Sequence, residues 1–230
     1  MLARKITKKL ADWKAKEYRK SLVISGARQI GKTYSVRAFA HDSYESYIEL
    51  NFIEHPEYKT IFEGGLDVDT LLLNMSMYLS EARFDAGKTL VLLDEVQECP
   101  EAMTSLKFWT QDGRYDVIAT GSGLGMNYRQ ESSYPVGNVE YMNMYSLDFE
   151  EFLWANGVSE DIIGKVRECF EKHIPVPQAL HVKLLEHLRR YMVIGGMPEV
   201  VTTYIETKNL KAVDDVQRRL YRDYIVDIAH

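Results

Sequence analysis

Gly26-Ala27-Arg28-Gln29-Ile30-Gly31-Lys32-Thr33 has the spacing G-x-x-x-x-G-K-[ST], and an apolar run, Leu22-Val23-Ile24, leads into it. A phosphate-cradling loop needs this order: a strand delivers a glycine turn, and a helix N-terminus follows to face the anion. Gly26 and Gly31 permit backbone angles and close approaches that a Cβ would block. The loop's N–H groups then form an anion nest for α- and β-phosphates. Lys32 is expected to reach the β/γ-phosphates, and the Thr33 hydroxyl to sit on a divalent cation. Gly26, Ala27, Arg28, Gln29, Ile30, Gly31, Lys32, Thr33 and Tyr34 are the residues this reading places around a nucleotide.

A phosphate cradle alone does not break a bond, so the second requirement is an acid for the metal and a base for water. Leu90-Val91-Leu92-Leu93-Asp94-Glu95 offers both at the end of the most apolar strand of the chain. Asp94 is expected to hold Mg²⁺, usually through water. Glu95 is placed to draw the proton from an attacking water. The next strand ends in Thr120-Gly121-Ser122-Gly123, where the hydroxyl of Thr120 or Ser122 could orient a γ-phosphate or water. Gln97 reads either as a nucleotide contact or as a cap for the following helix.

Outward from these motifs, short apolar runs alternate with helical stretches. The pattern predicts strands over 22–25, 47–51, 90–94, 117–120 and 139–145, with helices over 32–40, 70–81 and 101–111. Such alternation argues for a parallel sheet covered on both faces, with ligand at the carboxyl ends of the strands. After about residue 148 the texture is helical only. Asp148 is expected to cap one helix, a second runs over 160–173, and a third carries Leu180, Leu184, Leu188 and Tyr191 to a break at Gly195-Gly196-Met197-Pro198. That turn reads as a structural corner or as a hinge. His173, His181 and His187 lack metal-ligand spacing and receive no site.

The 230 residues are 46% apolar and 27% charged, with a net charge of −6. That balance suits a globular chain and argues against a surface that coats nucleic acid. The first 20 residues nevertheless hold eight Lys or Arg against two acids. Leu2, Ile6, Leu10 and Trp13 share one face there, which predicts an amphipathic helix with a basic outer side. A nucleic-acid backbone contact is the functional reading of that side. No apolar run is long enough for a membrane helix and no secretory signal follows the basic start, so the expected compartment is the cytoplasm. Cys99 and Cys169, without C-x-x-C spacing, read as reduced thiols.

Taken together, the loop motif, Leu-Leu-Asp-Glu-Val-Gln, Thr-Gly-Ser, Phe149-Glu150-Glu151-Phe152-Leu153 and Val193-Ile194-Gly195-Gly196-Met197-Pro198-Glu199 resemble one group. It is the prokaryotic AAA-domain ATPases that carry a C-terminal domain of unknown function. The resemblance implies a P-loop NTPase parallel sheet flanked by helices, of the additional-strand, catalytic-glutamate type, followed by an all-helical lid. With the N-terminal basic helix read over 1–20, this divides the chain into an ATPase core over 21–147 and a lid over 148–230, and the resemblance implies a further C-terminal domain beyond. ATP and Mg²⁺ are the implied cofactors. ATP turnover moving the lid is the leading function, with a homo-oligomer or protein client as partner. The alternative is a nucleotide-gated switch or scaffold with little turnover, in some contexts DNA-associated; a small-molecule phosphotransferase ranks third. GTP is disfavoured because the guanine-reading N-K-x-D pattern is absent. One departure matters: family members usually carry Gly-Arg where this chain has Gly137-Asn138. Arg28, Arg129 or an arginine of a neighbouring subunit are the candidates to replace that charge.

Overall fold

The computed structural model describes residues 2–122 and 137–228. They form two compact units, one over Ile6–Met144 and one combining the first five residues with Tyr145–His230.

In the first unit, α1 (Lys5–Lys14, entering from the other unit) buries Ile6, Leu10 and Trp13, the predicted face. Then follow β1 (Ser21–Ser25), α2 (Lys32–Ser43), β2 (Ser46–Asn51), a 3-10 turn (Pro56–Phe62) and α3 (Val68–Tyr78). β3 (Thr89–Asp94), a short 3-10 turn (Val96–Glu98), α4 (Pro100–Asp112), β4 (Asp116–Gly121) and β5 (Val139–Asn143) complete it. All strand pairs are parallel, in the order β2-β3-β4-β1-β5. β4 therefore separates the loop strand β1 from the acid strand β3, which is the additional-strand arrangement expected. The described strands thus form the parallel, helix-flanked sheet expected.

Burial explains the sequence pattern. Every residue of β3 is buried, as its unbroken apolar run requires. Val91 and Leu93 share one cluster with residues of α3 and α4, including Leu71, Met75, Leu106 and Trp109. No residue of α2 belongs to that cluster, while α2 packs against β2, β3 and β4. The two faces of the sheet are thus covered by different helices. Burying each such Leu or Val contributes about 1.5–3 kcal/mol.

Several element boundaries differ from expectation, those of α3 and β5 among them. α3 begins earlier than the predicted 70 because the Asp67 side chain accepts from Thr70 N and caps it. β5 stops at Asn143; Met144 N still bonds Ser25 O at 2.8 Å, but the chain leaves the sheet there. Cys99 is buried, and burial pushes its thiol up to about 11.

The second unit is helical: α5 (Phe149–Ala155), α6 (Glu160–Glu171), α7 (Gln178–Ile194), α8 (Pro198–Thr207) and α9 (Leu210–Ile228). Its core gathers Leu147, Phe152, Ile194, Val200, Val201, Tyr204, Val213 and Leu220. Asp148 and Glu151 form a reciprocal capping box at the start of α5. The Gly195-Gly196 turn is held by contact rather than left open. Gly195 sits at φ 75°, and Gly196 lies so flat on Leu147 that a Cβ would come 2.0 Å from its carbonyl oxygen. Leu147 N donates to Gly196 O at 2.7 Å across the same contact. Pro198 then starts α8 at a position where a missing N–H costs nothing. Among the described residues, no helix is long and apolar enough to cross a membrane.

Candidate functional site

The candidate residues meet where β1, β3 and β4 end. Gly26 follows β1, and a Cβ on it would lie 2.2 Å from Met144 O, so only glycine fits. The loop reverses through left-handed backbone at Gln29 (φ 61°) and Gly31 (φ 88°). A non-glycine residue in that region carries a strain of about 1–2 kcal/mol. Ile30 is 1% exposed and pins the loop to the unit from the middle of the motif. Ser35 donates to Gly31 O through both its N (3.0 Å) and its Oγ (2.8 Å), setting the first turn of α2. The leading N–H groups of that helix have no acceptor within it and carry the positive end of its dipole.

Lys32 is buried, and its Nζ donates to Gly26 O at 3.0 Å and Ala27 O at 2.7 Å. Burial lowers the pKa of this ammonium; Glu95 and then Asp94 pull it back up, and the Arg28 charge lowers it further. All four side chains therefore act on one small volume.

Asp94 is 3% exposed and is held by neutral donors from three directions. Thr33 Oγ1, from α2, lies 2.9 and 3.0 Å from its two carboxylate oxygens. The fully buried Thr120 hydroxyl, from β4, donates to Oδ1. Asn51 Nδ2, from β2, donates to Oδ2 at 3.1 Å. Among the described residues no basic side chain forms an ion pair with Asp94. A buried carboxylate whose only contacts are neutral donors, with the cations Lys32 and Arg37 acting at longer range, is an unfinished electrostatic arrangement.

Glu95 adopts left-handed backbone (φ 55°) at the start of the 3-10 turn and accepts from Gln97 Nε2 at 2.6 Å. Ser122 accepts from Arg28 Nε at 3.2 Å. Tyr34 is 57% exposed on the first turn of α2. Thr33, Asp94 and Thr120 are thus joined directly, Lys32 and Glu95 lie within electrostatic reach, and Ser122 joins the loop through Arg28. Thr120 spends its hydroxyl on Asp94. Gln97 does not cap α4, whose N-cap Cys99 makes no side-chain capping bond. Gly123 and Arg129 lie outside the described residues.

Asn51 was not legible as a site residue. Its Oδ1 accepts from Ile53 N and Glu54 N, at 3.0 and 2.9 Å, so in sequence it looks like an ordinary turn former. Only the β2–β3 register, which sets Asn51 opposite Asp94, reveals the second role.

Hard oxygen donors at Thr33 and Asp94 suit Mg²⁺, which takes few protein ligands and completes its shell with water and phosphate. Among the described residues no cluster of three or more His, Cys, Asp or Glu could cage a metal instead. The basic start of the chain is partly neutralised from within. Arg4 and Lys5 pair with Glu151 and Asp148, Lys16 with Glu140, Arg19 with Asp116, and Lys14 lies over the Tyr44 ring at 3.5 Å. Lys8, Lys9 and Lys20 are exposed.

The sequence profile of the AAA domain family matches residues 18–153, more than half of the chain. No curated protein matches it. A Walker-type ATPase of Pyrococcus abyssi, PABY2304, superposes with a TM-score of 0.58 at 13% identity, covering 100% of this chain and 75% of that one. The Drosophila ORC structure bound to DNA gives 0.51 at 13% identity, covering 91% of this chain and 59% of that one. C. elegans PCH-2 gives 0.49 at 13% identity over 92% of this chain and 65% of that one. At such identities the first two likenesses are likenesses of fold.

Proposed function

This chain belongs to the AAA domain family, and we propose that it binds ATP with Mg²⁺ and hydrolyses the β–γ bond to drive movement of its helical part or of an attached domain. The observation that carries this reading is the Thr33–Asp94 link. It joins the hydroxyl that ends the loop motif to the acid that ends the neighbouring buried strand. In this reading residues 21–147 are the catalytic core, 148–230 the lid, and 1–20 an N-terminal basic helix.

The loop N–H groups and the start of α2 bind the phosphates. Lys32 exchanges its two carbonyl acceptors for β- and γ-phosphate oxygens. Thr33 and Asp94 would hold Mg²⁺, which would supply positive charge against the phosphate oxygens. Asn51 and Thr120 keep the Asp94 carboxylate from turning away. Glu95 accepts a proton from water as the water oxygen bonds to the γ-phosphorus. The bond from that phosphorus to the bridging oxygen breaks, and its electron pair leaves with ADP. Arg28, whose charge acts on Lys32, supplies positive charge on the loop side in place of the arginine that Asn138 lacks.

Calorimetry and a turnover assay test the assignment. Lys32→Ala is expected to abolish Mg-ATP binding. Glu95→Gln is expected to bind Mg-ATP as the parent does and to lose turnover. Hydrolysis by Glu95→Gln at the parental rate would overturn the catalytic assignment.

A further inference from the structure

Gln97 does not cap α4, and its surroundings show what its amide does. The turn Val96–Glu98 is anchored by Val96, which is fully buried, and is followed by Cys99, 1% exposed. Glu95 and Gln97 flank that anchor, so their side chains meet two residues apart: Gln97 Nε2 donates to Glu95 Oε2 at 2.6 Å. A carboxylate can only accept, so the amide nitrogen must face it and the amide oxygen must point away. That oxygen, Gln97 Oε1, is buried and accepts no hydrogen bond among the described residues. An unsatisfied buried acceptor destabilises the fold, and an apolar side chain of the same size would avoid the cost. What the amide provides in return is the single bond to Glu95. Among the described residues Oε1 of Glu95 takes no hydrogen bond, so one oxygen of the carboxylate is anchored and the other is left to act.

We propose that Gln97 is a positioning residue for Glu95: it fixes one carboxylate oxygen so that the other is aimed as the base. The inference rests on the ATPase reading above and adds a residue to it. Gln97 touches no phosphate and moves no proton. It narrows the orientations that Glu95 explores, and a misdirected base loses rate without losing affinity. Left-handed backbone at Glu95 fits this need, because a strained residue is held only where its surroundings determine it.

The experiment compares the parent chain, Gln97→Met, Glu95→Gln and the double variant. It measures Mg-ATP affinity by calorimetry, single-turnover ADP formation, and thermal melting. Gln97→Met keeps the size of the side chain and removes both polar atoms. It is expected to lower the single-turnover rate roughly 10–100-fold, with affinity within about twofold of the parent and the melting transition kept. In the Glu95→Gln background the same change is expected to cost nothing further, because Gln97 acts only through that carboxylate. A parental rate in Gln97→Met would overturn the proposal. So would an equal loss in both backgrounds accompanied by weaker binding or a lower melting temperature, which is the signature of a structural role. Failure of the ATPase reading looks different and needs no Gln97 variant: the parent chain binds Mg-ATP and forms no ADP, or Glu95→Gln matches the parent.

Discussion

Among the described residues two carboxylates, Glu151 and Asp94, lie almost entirely out of water, and they are held in opposite ways. Glu151 in the helical unit is 5% exposed and is fully compensated. Arg4 Nε reaches it at 3.2 Å, Lys5 N donates at 2.7 Å and Asp148 N at 3.1 Å, the last as half of a capping box. Asp94 in the sheet unit is 3% exposed and receives only hydroxyls and an amide. A buried charge that already has its counter-charge has nothing left to recruit. One that touches only neutral donors, with Lys32 acting on it without contact, keeps more of its attraction for a further cation. Burial alone therefore does not mark a site. The mismatch between burial and charge compensation does.

The comparison breaks most visibly if Glu151 can be removed cheaply. Glu151→Ala takes the carboxylate away from the Arg4 guanidinium, whose side chain is 9% exposed, and opens the capping box. Losing one partner of a buried pair costs about 3–5 kcal/mol, so denaturant unfolding should show a loss of that order. Calorimetry on the folded fraction should find Mg-ATP affinity unchanged. A loss below about 1 kcal/mol would mean that Glu151 is no better compensated than a surface acid.

Asp94→Asn should shift the loss towards turnover. It keeps the size and removes the buried charge, but also weakens the bonds from Thr33, Thr120 and Asn51, so the stability loss should be smaller than that of Glu151→Ala. Under the proposed activity, turnover should fall on the order of 10²–10³-fold, since metal stabilisation of transition-state charge is worth several kcal/mol. A variant that lost stability and kept turnover would place Asp94 in the same structural class as Glu151.

How far these roles were legible depended on whether they are local in sequence. The β1–loop–α2 passage is contiguous, so Gly26 to Thr33 carry their own reading, and the unbroken Leu90–Leu93 run could only be an internal strand. The Asp148 cap was readable for the same reason: its partner is three residues away. Thr120 was picked out as a neighbour of γ-phosphate or water, whereas its bond to Asp94, 26 residues distant, could not be read. Asn51 was missed, because its pairing with Asp94 needs the order of the strands, which no local pattern encodes. Arg4 likewise meets Glu151 across 147 residues. Short-range chemistry was visible in the sequence, and the supporting bonds that depend on topology were not.

Those topological bonds sharpen the comparison at smaller scale. Thr120→Val is nearly isosteric and removes one of the three donors on Asp94. Hydrogen bonds to charged groups contribute about 1.5–3 kcal/mol, so unfolding should report a loss in that range. In the Asp94→Asn background the same change should cost less than about 1 kcal/mol, because the acceptor is then neutral. Equal losses in both backgrounds would show that Thr120 supports packing rather than the charge.

The smallest effect concerns the cation that shares the volume with Asp94. Burial holds the Lys32 ammonium below its ordinary 10.5, against the pull of Glu95 and Asp94. Between the lowered value and 10.5 the folded chain binds fewer protons than the unfolded chain. Stability contributed by this group therefore rises with pH across that window and is lost as pH falls through the lowered value. Bound phosphates favour the charged form, so Mg-ATP affinity should move the other way, weakening as pH climbs through the same value by at most about tenfold per pH unit. Lys32→Met should flatten the stability slope in denaturation experiments above neutral pH. If the parent and Lys32→Met gave the same slope, Lys32 would be titrating as a solvated lysine, and its burial beside two carboxylates would carry no electrostatic consequence.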